Sequence, residues 1–109
     1  MDTLRGVTGE NVLLGGADPD NVYGGDGNDN LRGNDGDDLL RGFEGDDVLL
    51  GLGGNDTLLD VRGGDTDRLA GGEGDDMHNA RDEDPNDSIF GGPGSDACSA
   101  DDGDDVRGC

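Results

Sequence analysis

The sequence predicts an all-β chain folded as a right-handed parallel β-roll, a solenoid of about eleven nonapeptide-like units with two units in each turn of the coil. Three observations carry that expectation. Glycine supplies 24 of the 109 residues and recurs with a period of nine. Within each unit a short polar residue, nearly always Asp, stands two places before a residue that is nearly always aliphatic. No stretch carries an apolar stripe at helical spacing, and Gly and Asp, which dominate the chain, are poor helix formers.

Taken in chain order, residues 1–5 read as a lead-in, and units then begin at Gly6, Gly15, Gly24, Gly33, Gly42 and Gly51. The clearest, Gly24 to Arg32, reads G-G-x-G-x-D-x-U-x with U aliphatic. Its sixth place is filled along this series by Asn11, Asp20, Asp29, Asp38, Asp47 and Asp56, and its eighth by Leu13, Val22, Leu31, Leu40, Leu49 and Leu58. The register then slips. Leu69 follows eleven residues on, His78 nine further, Ile89 eleven further and Cys98 nine further, with Asp67, Asp76, Asp87 and Asp96 each two places before them. An eight-residue unit, Ala100 to Arg107, closes the series with Asp104 and Val106, so the roll covers 6–107 and residues 98–109 form a cap. Both eleven-residue steps fall on odd-numbered units, which on a two-per-turn coil stacks the longer loops along one edge.

Within a unit, six glycine-rich residues suit a turn and the next three a short strand. Strand period two points the eighth residue inward and the seventh and ninth outward. Each strand then pairs in parallel with the strand two units later, and each turn sits beside the turn two units later. One edge collects Asn11, Asp29, Asp47, Asp67, Asp87 and Asp104; the other collects Asp20, Asp38, Asp56, Asp76 and Asp96.

Charge narrows the function classes. Asp plus Glu number 28 against 7 Arg, a formal charge of −21, which makes nucleic acid and anionic membrane poor partners, so none is expected, and makes dissolved cations good ones. All but four of the acids are Asp, a short carboxylate suited to turns and cation cages. Carboxylates stacked about 4.8 Å apart need counter-charge. Hard cations between successive turns would supply it, and two carboxylates with several carbonyl oxygens match calcium better than magnesium. The expected ligands are the carboxylates of Asp20, Asp29, Asp38, Asp47, Asp56, Asp67, Asp76, Asp87, Asp96 and Asp104. Turn carbonyls join them from Gly24, Gly25, Gly27, Gly33, Gly36, Gly42, Gly45, Gly51, Gly53, Gly71, Gly72, Gly74, Gly91, Gly92 and Gly94. With 28% apolar residues the core is too thin to offset chain entropy unaided, so folding is expected to be coupled to ion binding.

These units resemble the repeats-in-toxin, or hemolysin-type, calcium-binding nonapeptide family from residue 6 to about 107. The resemblance implies a β-roll holding several Ca2+ ions through sixth-place Asp and turn carbonyls, in secreted or cell-surface bacterial proteins. Three units depart from it. Asn11 replaces Asp, Asp18-Pro19 interrupts the second turn, and Asp82-Glu83-Asp84-Pro85-Asn86-Asp87 lacks glycine.

The remaining motifs read plainly. Asp82, Asp84 and Asn86 imitate the start of an EF-hand loop, but Asp87 stands where its glycine belongs and Pro93 where its Glu belongs. His78, the one histidine, reads as a buried filler beneath Cys98, with a small soft-metal site of His78, Cys98 and Cys109 as the alternative. Cys98 and Cys109 read as a disulfide, with two free thiols as the alternative. No catalytic signature accompanies them, so the chain is expected to be non-enzymatic; separately, a monomer is expected. Its start, Met1-Asp2-Thr3-Leu4-Arg5, continues into glycines, so neither a secretory signal nor a membrane-inserting segment is expected. The rival readings are the calcium-dependent C-terminal part of a secreted hydrolase, and an adhesin or interaction module with a protein or glycan partner.

Overall fold

The computed structural model describes residues 1–60, 65–83 and 85–109. Residues 61–64 of the seventh unit, and Asp84 of the EF-hand-like run, lie outside the described residues. The described strands are β1 Thr3–Arg5, β2 Val12–Ala17, β3 Asn21–Asp26, β4 Asn30–Asp35, β5 Leu39–Glu44, β6 Val48–Gly53, β7 Thr57–Leu59, β8 Arg68–Glu73, β9 Met77–Asn79, β10 Ser88–Phe90, β11 Ala97–Ser99 and β12 Asp105–Arg107. Odd strands form one parallel sheet in the order β1-β3-β5-β7-β9-β11, and even strands form a second in the order β12-β10-β8-β6-β4-β2. This is the expected roll of two units per coil.

Register follows the repeat through both slips. Leu40 pairs with Leu58 and Leu58 with His78, while Leu49 pairs with Leu69, Leu69 with Ile89 and Ile89 with Val106. The eleven-residue steps are therefore absorbed between β7 and β8 and between β9 and β10, and the ladders pass them without a break. Eighth-place side chains from Val22 through Leu69 and Ile89 are fully buried between the sheets. Cover thins at the ends, where Leu4, Leu13 and Cys98 are partly buried and Val106 is 40% exposed.

Two features of the strands differ from expectation. Thr3–Arg5, read as lead-in, pairs with β3 through Leu4 and Val22. Asp2 and Leu4 carry the two-place spacing of a repeat without its glycines. Six strands also run six residues instead of three, through the first three places of the next unit. Pairing continues round the corner because neighbouring coils trace the same path, as where Gly27 N–H donates to the Glu44 carbonyl and Gly36 N–H to that of Gly53. Positive φ at the second place makes the corner, in Gly25 and Gly72 but also in Asn34, Phe43 and Leu52.

Candidate metal centres in the turns

Stacked turns bring the sixth-place residues into two columns, as the sequence arranges them. In each column the backbone N–H of one sixth-place residue donates to Oδ1 of the sixth-place Asp one coil later. Asp20 donates to Asp38, Asp38 to Asp56 and Asp56 to Asp76 at 2.7–2.8 Å on one edge. Asp29 donates to Asp47, Asp47 to Asp67 and Asp67 to Asp87 at 2.8 Å on the other. These carboxylates are at most 3% exposed.

The second oxygen of each carboxylate has no such partner. Oδ2 of Asp20, Asp29, Asp38, Asp47, Asp56, Asp67, Asp76, Asp87 and Asp96 is buried without a hydrogen bond. Each buried, unpaired carboxylate oxygen would cost far more than a neutral group if left so. The space it faces is bounded by glycine. A Cβ on Gly24 would sit 2.6 Å from Asp29 Oδ2 and 2.8 Å from the Gly42 carbonyl oxygen, and one on Gly33 would meet Asp38 Oδ2 and the Gly51 carbonyl. Gly15, Gly51 and Gly91 repeat that cradle of one carboxylate oxygen and one carbonyl from the next coil. It is a set of hard oxygen donors with no hydrogen to offer, which fits a hard cation.

Other predicted glycines serve the stacking. At Gly74, with φ of 127°, a Cβ would overlap the Gly54 carbonyl of the neighbouring coil, so only glycine permits the approach. Gly25, Gly27, Gly36, Gly45, Gly72, Gly92 and Gly94 likewise crowd a backbone carbonyl. Gly53 differs, with only ordinary contacts at 3.4 Å and beyond.

Three sixth-place residues depart from the pattern. Asn11 presents its amide nitrogen, which donates to Asp29 Oδ1 and to the Gly9 carbonyl and would meet a Cβ on Gly6, a hydrogen-bearing group where the other cradles have an oxygen. Asp104 has both oxygens engaged, by the N–H groups of Asp87 and Asp101. Asp96 keeps a free Oδ2 but is less enclosed than its column mates.

Electrostatics reflect the crowding. Burial, with neighbouring carboxylates adding to it, pushes Asp47, Asp56, Asp67 and Asp87 up to about 7 against the N–H bonds that work the other way. Asp38 and Asp76 rise for the same reason. Asp60 is the extreme, pushed up to about 10 by burial and then by Asp67 and Asp47.

Sequence reasoning missed two components. Fifth-place side chains form a second ladder of opposite sense: Asn28 Oδ1 accepts the N–H of Asp46, Asp37 that of Asn55, Asn55 that of Asp75 and Asp75 that of Ser95, at 2.8–2.9 Å. The signal was a side-chain oxygen, from Asn or Asp, at a place the motif leaves free. Asp60 is the other. It occupies the first place of the seventh unit, where most units have glycine.

At the C-terminal end Cys98 and Cys109 form a disulfide with Cα atoms 5.9 Å apart. His78 lies beneath Cys98, its Nδ1 3.5 Å from Cys98 Sγ, and burial lowers its pKa. The three side chains do converge, but the disulfide occupies both sulfurs.

Four copies of the RTX calcium-binding nonapeptide repeat match the chain, over residues 1–31, 23–58, 62–77 and 85–106. The chain belongs to that family. No curated protein and no solved structure matches it significantly. RTX repeats bind Ca2+, so the oxygen cradles between coils have a cation of matching chemistry.

Proposed function

We propose that the chain is a non-catalytic calcium-binding module of a secreted protein, which folds when Ca2+ enters the turns between stacked coils. One observation carries the reading: nine sixth-place carboxylates each keep a buried Oδ2 with no protein donor. Five of them, Asp20, Asp29, Asp38, Asp56 and Asp96, face a glycine cradle completed by a carbonyl of the next coil. These residues with first-place carbonyls such as those of Gly42, Gly51 and Gly71 would hold the ion, which supplies the positive charge that the chain lacks. Oδ1, held by the coil before, orients each carboxylate so that Oδ2 stays turned into the cradle.

A calcium-rich exterior suits such a device. With −21 charges and one thin line of apolar residues, the chain would be extended where calcium is scarce and compact after export. Circular dichroism in chelator and after calcium addition tests this. A largely disordered chain that gains β structure at about 0.1–1 mM calcium is expected; full β signal in chelator would overturn it.

A partner-binding role is the second reading. On the outer face of the odd-strand sheet, Arg5, Tyr23, Arg41 and Phe43 line a groove, with Arg5 over the Tyr23 ring at 5.4 Å. Aromatic and guanidinium groups together suit a protein or glycan surface, and a calcium-dependent glycan or pulldown screen with Tyr23→Ala as control tests it.

A further inference from the structure

Asp60 stands at the one first place, among the described residues, where an acid replaces the small residue of the repeat. First-place residues alternate inward with the eighth place, so Asp60, just past the end of β7, is buried as Leu58 within it is, and its N–H donates to the Asn79 carbonyl at 2.8 Å. Asp60 is 0% exposed, and no N–H group donates to Oδ1 or Oδ2; the one polar side chain that engages it is the carboxyl group of Asp47, with which it can share a proton.

Its oxygen lies where the regular coils place a carbonyl. Above Gly24 and Gly33 the cradle is closed by the carbonyls of Gly42 and Gly51, but above Gly42 the nearest atoms are Asp60 Oδ2 and Asp47 Oδ2. Asp67 completes the group, and ligand atoms of Asp47, Asp60 and Asp67 all lie within 4.8 Å of one another. Where the regular coils bring a carbonyl oxygen nearest, this one brings a carboxyl group, beside two others that an ion could draw into ionised form.

We propose that Asp47, Asp60 and Asp67 form a distinct three-carboxylate site for a hard cation midway along the roll, tighter than the repeating turn sites and with the strongest preference for trivalent over divalent ions. The inference rests on the calcium reading above. Calcium affinity rises with the number of charged ligands, and Coulomb attraction in a water-poor cage favours a higher ionic charge still further.

Calorimetric titration of the full chain with calcium, and separately with terbium, tests the site. Wild type should show one step tighter than the rest, tighter again for terbium. Asp60→Asn should weaken that step roughly tenfold or more while the other steps persist. Asp60→Gly restores the first-place glycine and should fold with the tight step gone, which decides the matter should Asp60→Asn not fold. Asp102→Asn, at an exposed position, controls for net charge and should leave the tight step in place. Unchanged affinities in both Asp60 variants, a gain of affinity in Asp60→Gly, or an equal loss in Asp102→Asn would overturn the inference. A wild-type chain that takes up no calcium at all would instead overturn the calcium reading.

Discussion

Gly16 and Gly74 share a positive φ, 118° and 127°, yet their surroundings differ. A Cβ at Gly16 meets nothing within 4 Å, whereas one at Gly74 overlaps the Gly54 carbonyl. Gly16→Ala therefore carries only the conformational cost, about 1–2 kcal/mol. Gly74→Ala adds the displacement of a neighbouring coil and should cost about 2–4 kcal/mol. Denaturant unfolding with calcium present checks this; equal losses would show that contact between coils does not set the requirement. Such positions were legible because the repeat places glycine at fixed distances from Asp and the inward aliphatic residue. Asp60 was not, since it sits at the start of a lengthened unit where the register slips and the motif gives no expectation. The fifth-place ladder was hidden for another reason. Asn28, Asp37, Asn55 and Asp75 differ in charge but share a side-chain oxygen, and only the 2.8–2.9 Å bonds between coils show that the oxygen is what matters.

Among the strands, three-residue segments with an inward eighth place were visible as alternation, while their extension through the glycine places was not. Backbone pairing alone carries that extension, and backbone leaves no mark in side-chain pattern. The first strand escaped for want of glycine, although Asp2 N–H already donates to Asp20 Oδ1 as later sixth-place residues do. The last strand is the weak end. Among the described strands β12 pairs with β10 alone, at the sheet edge; Val106 is 40% exposed, and Arg107 packs over Phe90 at 6.0 Å while bonding Asp105 at the surface. The disulfide from Cys109 to Cys98 in β11 ties this strand to the opposite sheet across eleven residues of chain. Closing such a loop is worth roughly 2–3 kcal/mol in the chain-entropy account. Reduction, or Cys109→Ser, should fray β11 and β12 first while β3–β6 stay protected, as hydrogen exchange with and without reductant would show. Uniform loss of protection along the coil would contradict this.

Over the whole molecule the two columns of buried carboxylates make stability a function of pH, and the sign can be worked out. Asp47, Asp56, Asp67 and Asp87 are raised to about 7, and Asp60 to about 10, so the calcium-free roll binds these protons more tightly than the unfolded chain does. The unfolded carboxylates titrate near their ordinary value of about 3.9. A group raised on folding contributes its stability fully below the unfolded value and loses it as pH rises through the folded one. The calcium-free chain should therefore be most compact near pH 4, where its net charge also vanishes at a pI of about 4.1, and should unfold as pH rises through about 7. With calcium the order reverses, since the ion competes with protons for the same oxygens: the loaded roll should lose stability as pH falls. Calcium uptake at pH 7 should also release protons, seen as a binding enthalpy that changes with the ionisation enthalpy of the buffer. Circular dichroism of metal-free protein from pH 4 to 8, alongside calorimetry in two buffers, measures both effects. A metal-free chain that gains structure as pH rises, or calcium uptake with no proton release, would show that the stacked carboxylates are not the groups that calcium engages.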